Sequence, residues 1–233
     1  EQTATLYYMP SKGTDPNQLK FVAPQLENLI TISGSASNPV HDIEVSGLRF
    51  THTAPTFMKT AEPLLRSDWT IYRQGAVKIE GAENCILRAN DFIELGGNAI
   101  FVSNYSRGVK VSGNHIEQIG AGAINFVGNP EAVRSPSFRY EKFVPLSQMD
   151  TVKGPKTNNY PMDCEATDNL IHTIGLIEKQ VAGVQVSMAE SLRILHNTIY
   201  NVPRAGINIG DGTWGGHEIA YNDVFNTLLV TSD

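Results

Sequence analysis

From Ala76 onward the apolar and polar positions of the chain repeat about every 23 to 25 residues. Each repeat opens on a small residue, runs into a short strand of alternating character, turns, passes through a second strand and reaches an Asn. The first strands read Ala76-Val-Lys-Ile, Ala99-Ile-Phe-Val, Ala123-Ile-Asn-Phe, Gly183-Val-Gln-Val and Gly206-Ile-Asn-Ile, and the Asn positions are Asn90, Asn114, Asn169, Asn197 and Asn222. Two residues after each Asn stands an apolar side chain (Phe92, Ile116, Ile171, Ile199, Val224), and another usually follows three further on (Leu95, Ile119, Ile174, Val202). Alternation over such short runs is a strand signal. A fixed period of this length marks a solenoid, in which each repeat buries its apolar face only against its neighbours.

Three short strands per turn, an equal period and no helical stretch predict an all-β, right-handed parallel β-helix of about six rungs. The second strands align as Cys85-Ile-Leu-Arg, Val109-Lys-Val-Ser, Cys164-Glu-Ala-Thr, Leu192-Arg-Ile-Leu and His217-Glu-Ile-Ala, with Ile43-Glu-Val-Ser as an earlier member. A leucine-rich repeat would need a leucine spacing that the chain lacks. The Asn residues read as architecture: at a corner they tolerate left-handed backbone, and stacked amides form a ladder. Residues 1–39 read as a lead-in, with strands at Thr5–Tyr8 and Leu29–Ile32, and residues 40–233 as the β-helix domain. Insertions at about 54–75 and 130–162 interrupt it; loops of that length in a compact fold are usually functional or disordered. The last repeat runs to Asp233 without a capping element, which suggests a piece of a longer protein.

Composition narrows the function classes. A net charge of −6 argues against nucleic acid as a partner, since phosphate binding wants a basic stripe. No run of 18 apolar residues exists, so no membrane span is expected. The chain opens on no signal peptide, which leaves a mature secreted or periplasmic protein as the expected setting. Cys85 and Cys164 fall in one inward column with Val109 between them. Two strand steps are about 9.6 Å, beyond the disulfide Cα limit of about 7 Å, so both are expected as free, buried thiols.

The outward columns are where chemistry is sought. Glu44, Ile86, Lys110, Glu165, Arg193 and Glu218 form one, with signs that alternate from Lys110 onward. It reads first as a cross-strand charge ladder, worth about a few tenths of a kcal/mol per pair, and second as a binding face. Lys78, Phe101, Asn125, Gln185 and Asn208 form another, beside Glu80, Ser103, Val127, Ser187 and Gly210. Amides next to aromatic and basic groups suit hydroxyl-rich ligands, although a solvated face would look similar. The sharpest local feature is Arg204-Ala-Gly-Ile-Asn-Ile-Gly-Asp-Gly-Thr-Trp-Gly-Gly-His217. Glycines there let backbone approach a ligand, an exposed Trp214 would offer a flat apolar platform, and Asp211 could act as acid, base or nucleophile. The plainer reading is a tight turn in which Trp214 covers a neighbouring loop. Asp233 falls one repeat after Asp211, and two carboxylates across a sugar-sized gap are the minimum apparatus of glycoside hydrolysis. Lys179, Asn208, Gln185, Arg204 and His217 are the candidate binding partners, with Trp214 to stack. Glu178, Lys179 and Gln180 form a turn that could project toward the same face. The histidines show no zinc spacing, so no metal site is expected, although acidic loops could hold structural or catalytic calcium; no other cofactor is expected.

The segments Asn158-Asn-Tyr-Pro-Met-Asp-Cys, Asp168-Asn-Leu-Ile-His-Thr-Ile-Gly, Glu178-Lys-Gln-Val-Ala-Gly-Val and Val202-Pro-Arg-Ala-Gly-Ile-Asn-Ile-Gly-Asp-Gly-Thr-Trp-Gly-Gly-His, followed by Asn222-Asp-Val-Phe, resemble bacterial right-handed β-helix carbohydrate-active proteins. The nearest resemblance is to glycoside hydrolase family 141, over roughly residues 40–233. It implies fucosidase- or xylanase-like action on a complex plant or algal polysaccharide or its oligosaccharides, and chains that run well beyond this C-terminus. Two rivals stay open. A polysaccharide lyase would need Lys179, Arg193 or Arg204 to neutralise a uronate, and a non-catalytic glycan-binding β-helix would need no carboxylate.

Overall fold

The computed structural model describes residues 7–59, 62–63, 70–137, 143–210 and 212–230, with backbone only at 62, 63 and 70. The chain is a right-handed parallel β-helix built from three parallel sheets. The first sheet stacks Ile30–Ser33, Val77–Glu83, Ile100–Arg107, Ile124–Val127, Ala182–Ser187 and Ala205–Ile209. Glu44–Ser46, Ile86–Arg88, Lys110–Ser112, Glu165–Thr167, Arg193–Leu195 and Glu218–Ala220 make the second. The third consists of Arg49–Thr51, Asp91–Leu95, His115–Ile119, Leu170–His172, Thr198–Tyr200 and Asp223–Phe225. Ile30–Ser33, from the expected lead-in, therefore already pairs as a first-sheet strand with Val77–Glu83. Of the strand expected at Thr5–Tyr8, Thr5 and Leu6 lie outside the described residues, and Tyr7 and Tyr8 carry no strand.

Register follows the apolar alternation. Val77, Ile100, Ile124, Val184 and Ile207 stack in one inward column, and Phe50, Phe92, Ile116, Ile171, Ile199 and Val224 in another. Most of these side chains are fully buried and join a single core with Cys85, Val109, Cys164 and Leu192. Both cysteines are free and buried, as the two-step spacing requires, and burial pushes the Cys164 thiol up to about 12.

The amide ladder runs from Asn90 to Asn222. Asn90 Nδ2 donates to Asn114 Oδ1 at 3.1 Å, Asn114 to Asn169 at 3.0 Å, Asn169 to Asn197 at 2.9 Å and Asn197 to Asn222 at 2.9 Å. Each Oδ1 also accepts the backbone N–H of the preceding Asn, and each Nδ2 also donates to a carbonyl of the turn before, such as Val111 O from Asn169. The left-handed corner expected at the Asn falls instead on the residue before it, at Ala89, Gly113, Asp168, His196 and Tyr221, and at Gly47 before Leu48 on the equivalent corner; all six have φ between 52° and 68°. Only two of the six are glycine. A left-handed backbone is strained for the other four, and it persists because the amides on both sides fix the corner.

The second sheet carries the expected charge ladder. Glu165 lies 3.6 Å from Lys110 and 3.3 Å from Arg193, and Arg193 reaches Glu218 at 3.1 Å. The outward face of the first sheet differs from a solvated face: Phe101, Ser103, Asn125, Val127, Gln185 and Ser187 are all buried. The described parts of both insertions that flank it, from Ile71 to Arg73 and around Val133, pack over it. Ile71 joins Phe101, Val127 and Met188 in a second apolar cluster, with Val133 and Trp214 packed against it. The Arg73 guanidinium donates to Ser103 Oγ at 2.8 Å and to Gly128 O at 2.7 Å, which pins the first insertion down. Arg107 holds the end of the second, stacked over Tyr105 and Tyr160 and donating to the carbonyls of Asn158 and Tyr160.

Asn169→Ala removes a buried amide with partners on both neighbouring turns. It is expected to lower stability by about 3 kcal/mol or more, since several buried groups lose their bonds at once, read as a fall in the urea midpoint. A change within about 0.5 kcal/mol, the usual surface value, would contradict a supporting role for the ladder.

Candidate functional site

The covered face of the first sheet holds a narrow cleft lined by Tyr72, Asn98, Asn125, Glu178, Gln180 and Gln185. Its floor is the amide column predicted from the alternation, and its walls come from the first insertion and the turn at 176–180. Asn98 fixes one wall, donating from Nδ2 to Tyr72 O at 3.1 Å and Gln74 O at 2.9 Å. The inner space is about 20 Å³, room for a water or two, so any larger ligand would meet this cleft at its mouth.

Glu178 is the group that changes character here. It is half-buried, and removal from water pushes its carboxyl above the ordinary glutamate range. A carboxyl held toward its neutral form among amides, in a cleft, is the arrangement of a proton donor. The sequence placed Glu178 in a turn that could face this side. Its burial is invisible there, because it is set by residues far away in the chain, such as Tyr72 and Asn98, that line the same cleft.

The other expected site residues divide. Gln185 is buried; its Oε1 accepts from Asn208 Nδ2 at 2.9 Å and its Nε2 donates to Val186 O at 3.2 Å. Asn208 is half-buried beside it, and Gly210 packs against Gln185, so the glycine turn and the cleft share one face. Asp211 and Asp233, the two candidate catalytic carboxylates, lie outside the described residues. Trp214 is half-buried rather than exposed, its ring 4.4 Å from that of Tyr160. The platform expected of it is turned onto the protein's own insertion, whose Tyr160 hydroxyl donates to Glu190 at 2.7 Å.

Lys179 donates to the carbonyls of Gly175 at 2.8 Å and Leu176 at 2.9 Å, so its ammonium closes its own loop. His217 is half-buried in the inward corner column, where Nδ1 accepts from the Leu192 N–H at 3.1 Å and burial lowers its pKa. Arg204 is half-buried and engaged. Arg193 is tied between Glu165 and Glu218 on a different sheet.

A second depression of about 560 Å³ lies farther along the first sheet, lined by Glu80, Asn104, Tyr105, Glu131, Asn158 and Asn159. A register shift between Ser103 and Ser106 throws Asn104 and Tyr105 into it. Glu80 is held by Lys78 at 3.1 Å and by Asn104 at 3.3 Å. Amides, carboxylates and a tyrosine in a groove of this size suit a hydroxyl-rich ligand. On the third sheet, His115, Glu117 and His172 come together as a metal-capable group, which residue spacing had not indicated.

No family model matches this sequence, and no curated protein matches it. Among solved structures, one named "Glycoside hydrolase" superposes with a TM-score of 0.63 at 18% identity, covering 81% of this chain and 34% of that one. Likeness at this identity is likeness of fold, and the chain spans about a third of that protein's length.

Because folded Glu178 holds its proton more tightly than the unfolded chain does, it favours folding in acid and weakens it as pH rises past the ordinary glutamate range. Glu178→Gln stays neutral throughout. It is expected to melt higher than the native chain at neutral pH and to lose that advantage below the ordinary pKa of about 4.3. Thermal unfolding across pH checks this; a melting difference independent of pH would contradict it.

Proposed function

We propose that this chain is the β-helix part of a glycoside hydrolase, with its reacting groups on the insertion-covered face of the first sheet. The observation that carries the reading is Glu178: a carboxyl raised by burial, in a cleft floored by amides, on the face that also presents Asn208 and the glycine turn. Glu178 would protonate the departing glycosidic oxygen. Asp211, one residue beyond Gly210, would supply the ionised carboxylate as nucleophile or base, so that Glu178 and Asp211 take the acid and nucleophile-or-base roles that the sequence divides between Asp211 and Asp233. Asn208 would hold sugar hydroxyls, and Gln185 would position it. Trp214 would shape the turn through Tyr160 rather than stack on substrate. The polar groove at Glu80 and Tyr105 would take further sugar units.

The resemblance to glycoside hydrolase family 141 supports a complex plant or algal polysaccharide as substrate, cleaved in a fucosidase- or xylanase-like manner by a secreted or periplasmic protein. Two of the three basic residues that elimination would call on are committed elsewhere, which favours hydrolysis. Lys179 is bonded to carbonyls of its own loop and Arg193 to two glutamates on another sheet, so neither is placed to neutralise a uronate.

Incubation with a panel of plant and algal glycans tests the proposal, reading new reducing ends and the ultraviolet absorbance of unsaturated sugars. The native chain is expected to release reducing ends without that absorbance. Glu178→Gln and Asp211→Asn are each expected to lower kcat by about 10²–10⁴ with the fold intact. Unsaturated products would establish a lyase instead. Binding without cleavage, unchanged in both variants, would establish a glycan-binding module.

A further inference from the structure

The outward face of the third sheet brings together groups that the chain separates widely. His115 opens the strand His115–Ile119 and pairs with Leu170, while His172 pairs with Glu117 on the next turn. The two imidazoles are 57 positions apart in sequence, yet their Nε2 atoms face each other at 3.1 Å. Glu117 Oε2 lies 3.7 Å from His172 Nε2. One ligand atom from each of the three residues fits within 4.8 Å of the others. Two nitrogens bound to one tetrahedral zinc ion at about 2.0–2.1 Å stand about 3.3 Å apart, so this spacing is already close to that of a metal pair.

An oxygen also stands on the far side of each ring. His172 Nδ1 is 3.1 Å from Thr173 Oγ1, and His115 Nδ1 faces Asp91 Oδ1 at 3.9 Å. An oxygen near each Nδ1 is the kind of outer contact that accompanies most histidine ligands and favours ligation through Nε2. The side chains are 14% exposed at His172, 27% at Glu117 and 34% at His115. An ion could therefore enter from solvent and keep a water as fourth ligand.

We propose that His115, Glu117 and His172 bind one zinc ion, or a similar borderline divalent cation, on the third sheet. Calcium would not suit, because it takes only oxygen ligands and more of them. The ion would join the turn before the long insertion to the turn after it, whose ladder residues Asn114 and Asn169 are 55 positions apart. Clipping so long a segment stabilises the stack locally, and the site lies on a different sheet from the cleft at Glu178. It stands or falls independently of the glycan reading.

The test uses the untagged, chelator-treated chain with zinc chloride or cobalt chloride alone. Calorimetry is expected to give one zinc per chain, and cobalt to give the intense visible band of tetrahedral coordination. Tm is expected to rise by about 5–10 °C with zinc at a hundredfold excess over Kd. His115→Gln and Glu117→Gln, each with unchanged circular dichroism, are expected to weaken zinc binding by more than about a hundredfold. His196→Ala, at a ring stacked on Tyr221, should leave it unaltered. Absence of stoichiometric binding would overturn the proposal and leave the two imidazoles as a hydrogen-bonded pair. So would binding that survives both ligand substitutions.

Discussion

A line of buried amides sets the geometry on which everything else in this molecule rests. Parallel strands stack at about 4.8 Å, and an Asn at the same corner of successive turns bridges that step amide to amide and amide to backbone. The contacts from Asn90 to Asn222 are nearly identical, at 2.9 to 3.1 Å. Each amide serves two neighbouring turns, so a turn cannot slip without stranding polar groups on both sides. That constraint holds the left-handed corners at residues such as Ala89 and His196. It also keeps the outward columns in register, which is why Glu165 finds Lys110 on one side and Arg193 on the other.

A regular stack alone makes solvated faces, and it is the departures from regularity that make a site. The described parts of the two insertions that flank the first sheet pack over it, and they turn its outer columns from surface into a second core around Phe101, Val127 and Met188. Where that cover is incomplete, the amides Asn125 and Gln185 and the carboxyl of Glu178 line a narrow cleft. Burial penalises the charged form of a carboxyl more than the neutral form, and it raises Glu178 at the cleft.

The periodic part of this structure could be read from the residues, and the aperiodic part could not. Strand register, the inward columns, the free thiols of Cys85 and Cys164, the charge ladder and the amide ladder all obey one spacing, so alignment on the Asn places them. The burial of Gln185 and the engagement of Trp214 with Tyr160 depend on segments that follow no period. The meeting of His115 with His172 was hidden for a related reason. The long insertion stretches a single turn to 55 positions between Asn114 and Asn169, so a local ligand spacing never forms in the sequence. The left-handed corner was placed one residue late because propensity favours Asn, whereas here the Asn is needed for the ladder and its predecessor takes the strained backbone.

The account turns on the protonation of one side chain, and that can be observed directly. Carbon-detected NMR titration of the glutamate carboxyls, with Glu178→Gln to assign the resonance, reads the ionisation of Glu178 in the folded chain. The account predicts a midpoint clearly above the ordinary glutamate value of about 4.3. A midpoint at or below that value would mean that the cleft does not hold a proton, and the assignment of Glu178 as the acid would fall with it.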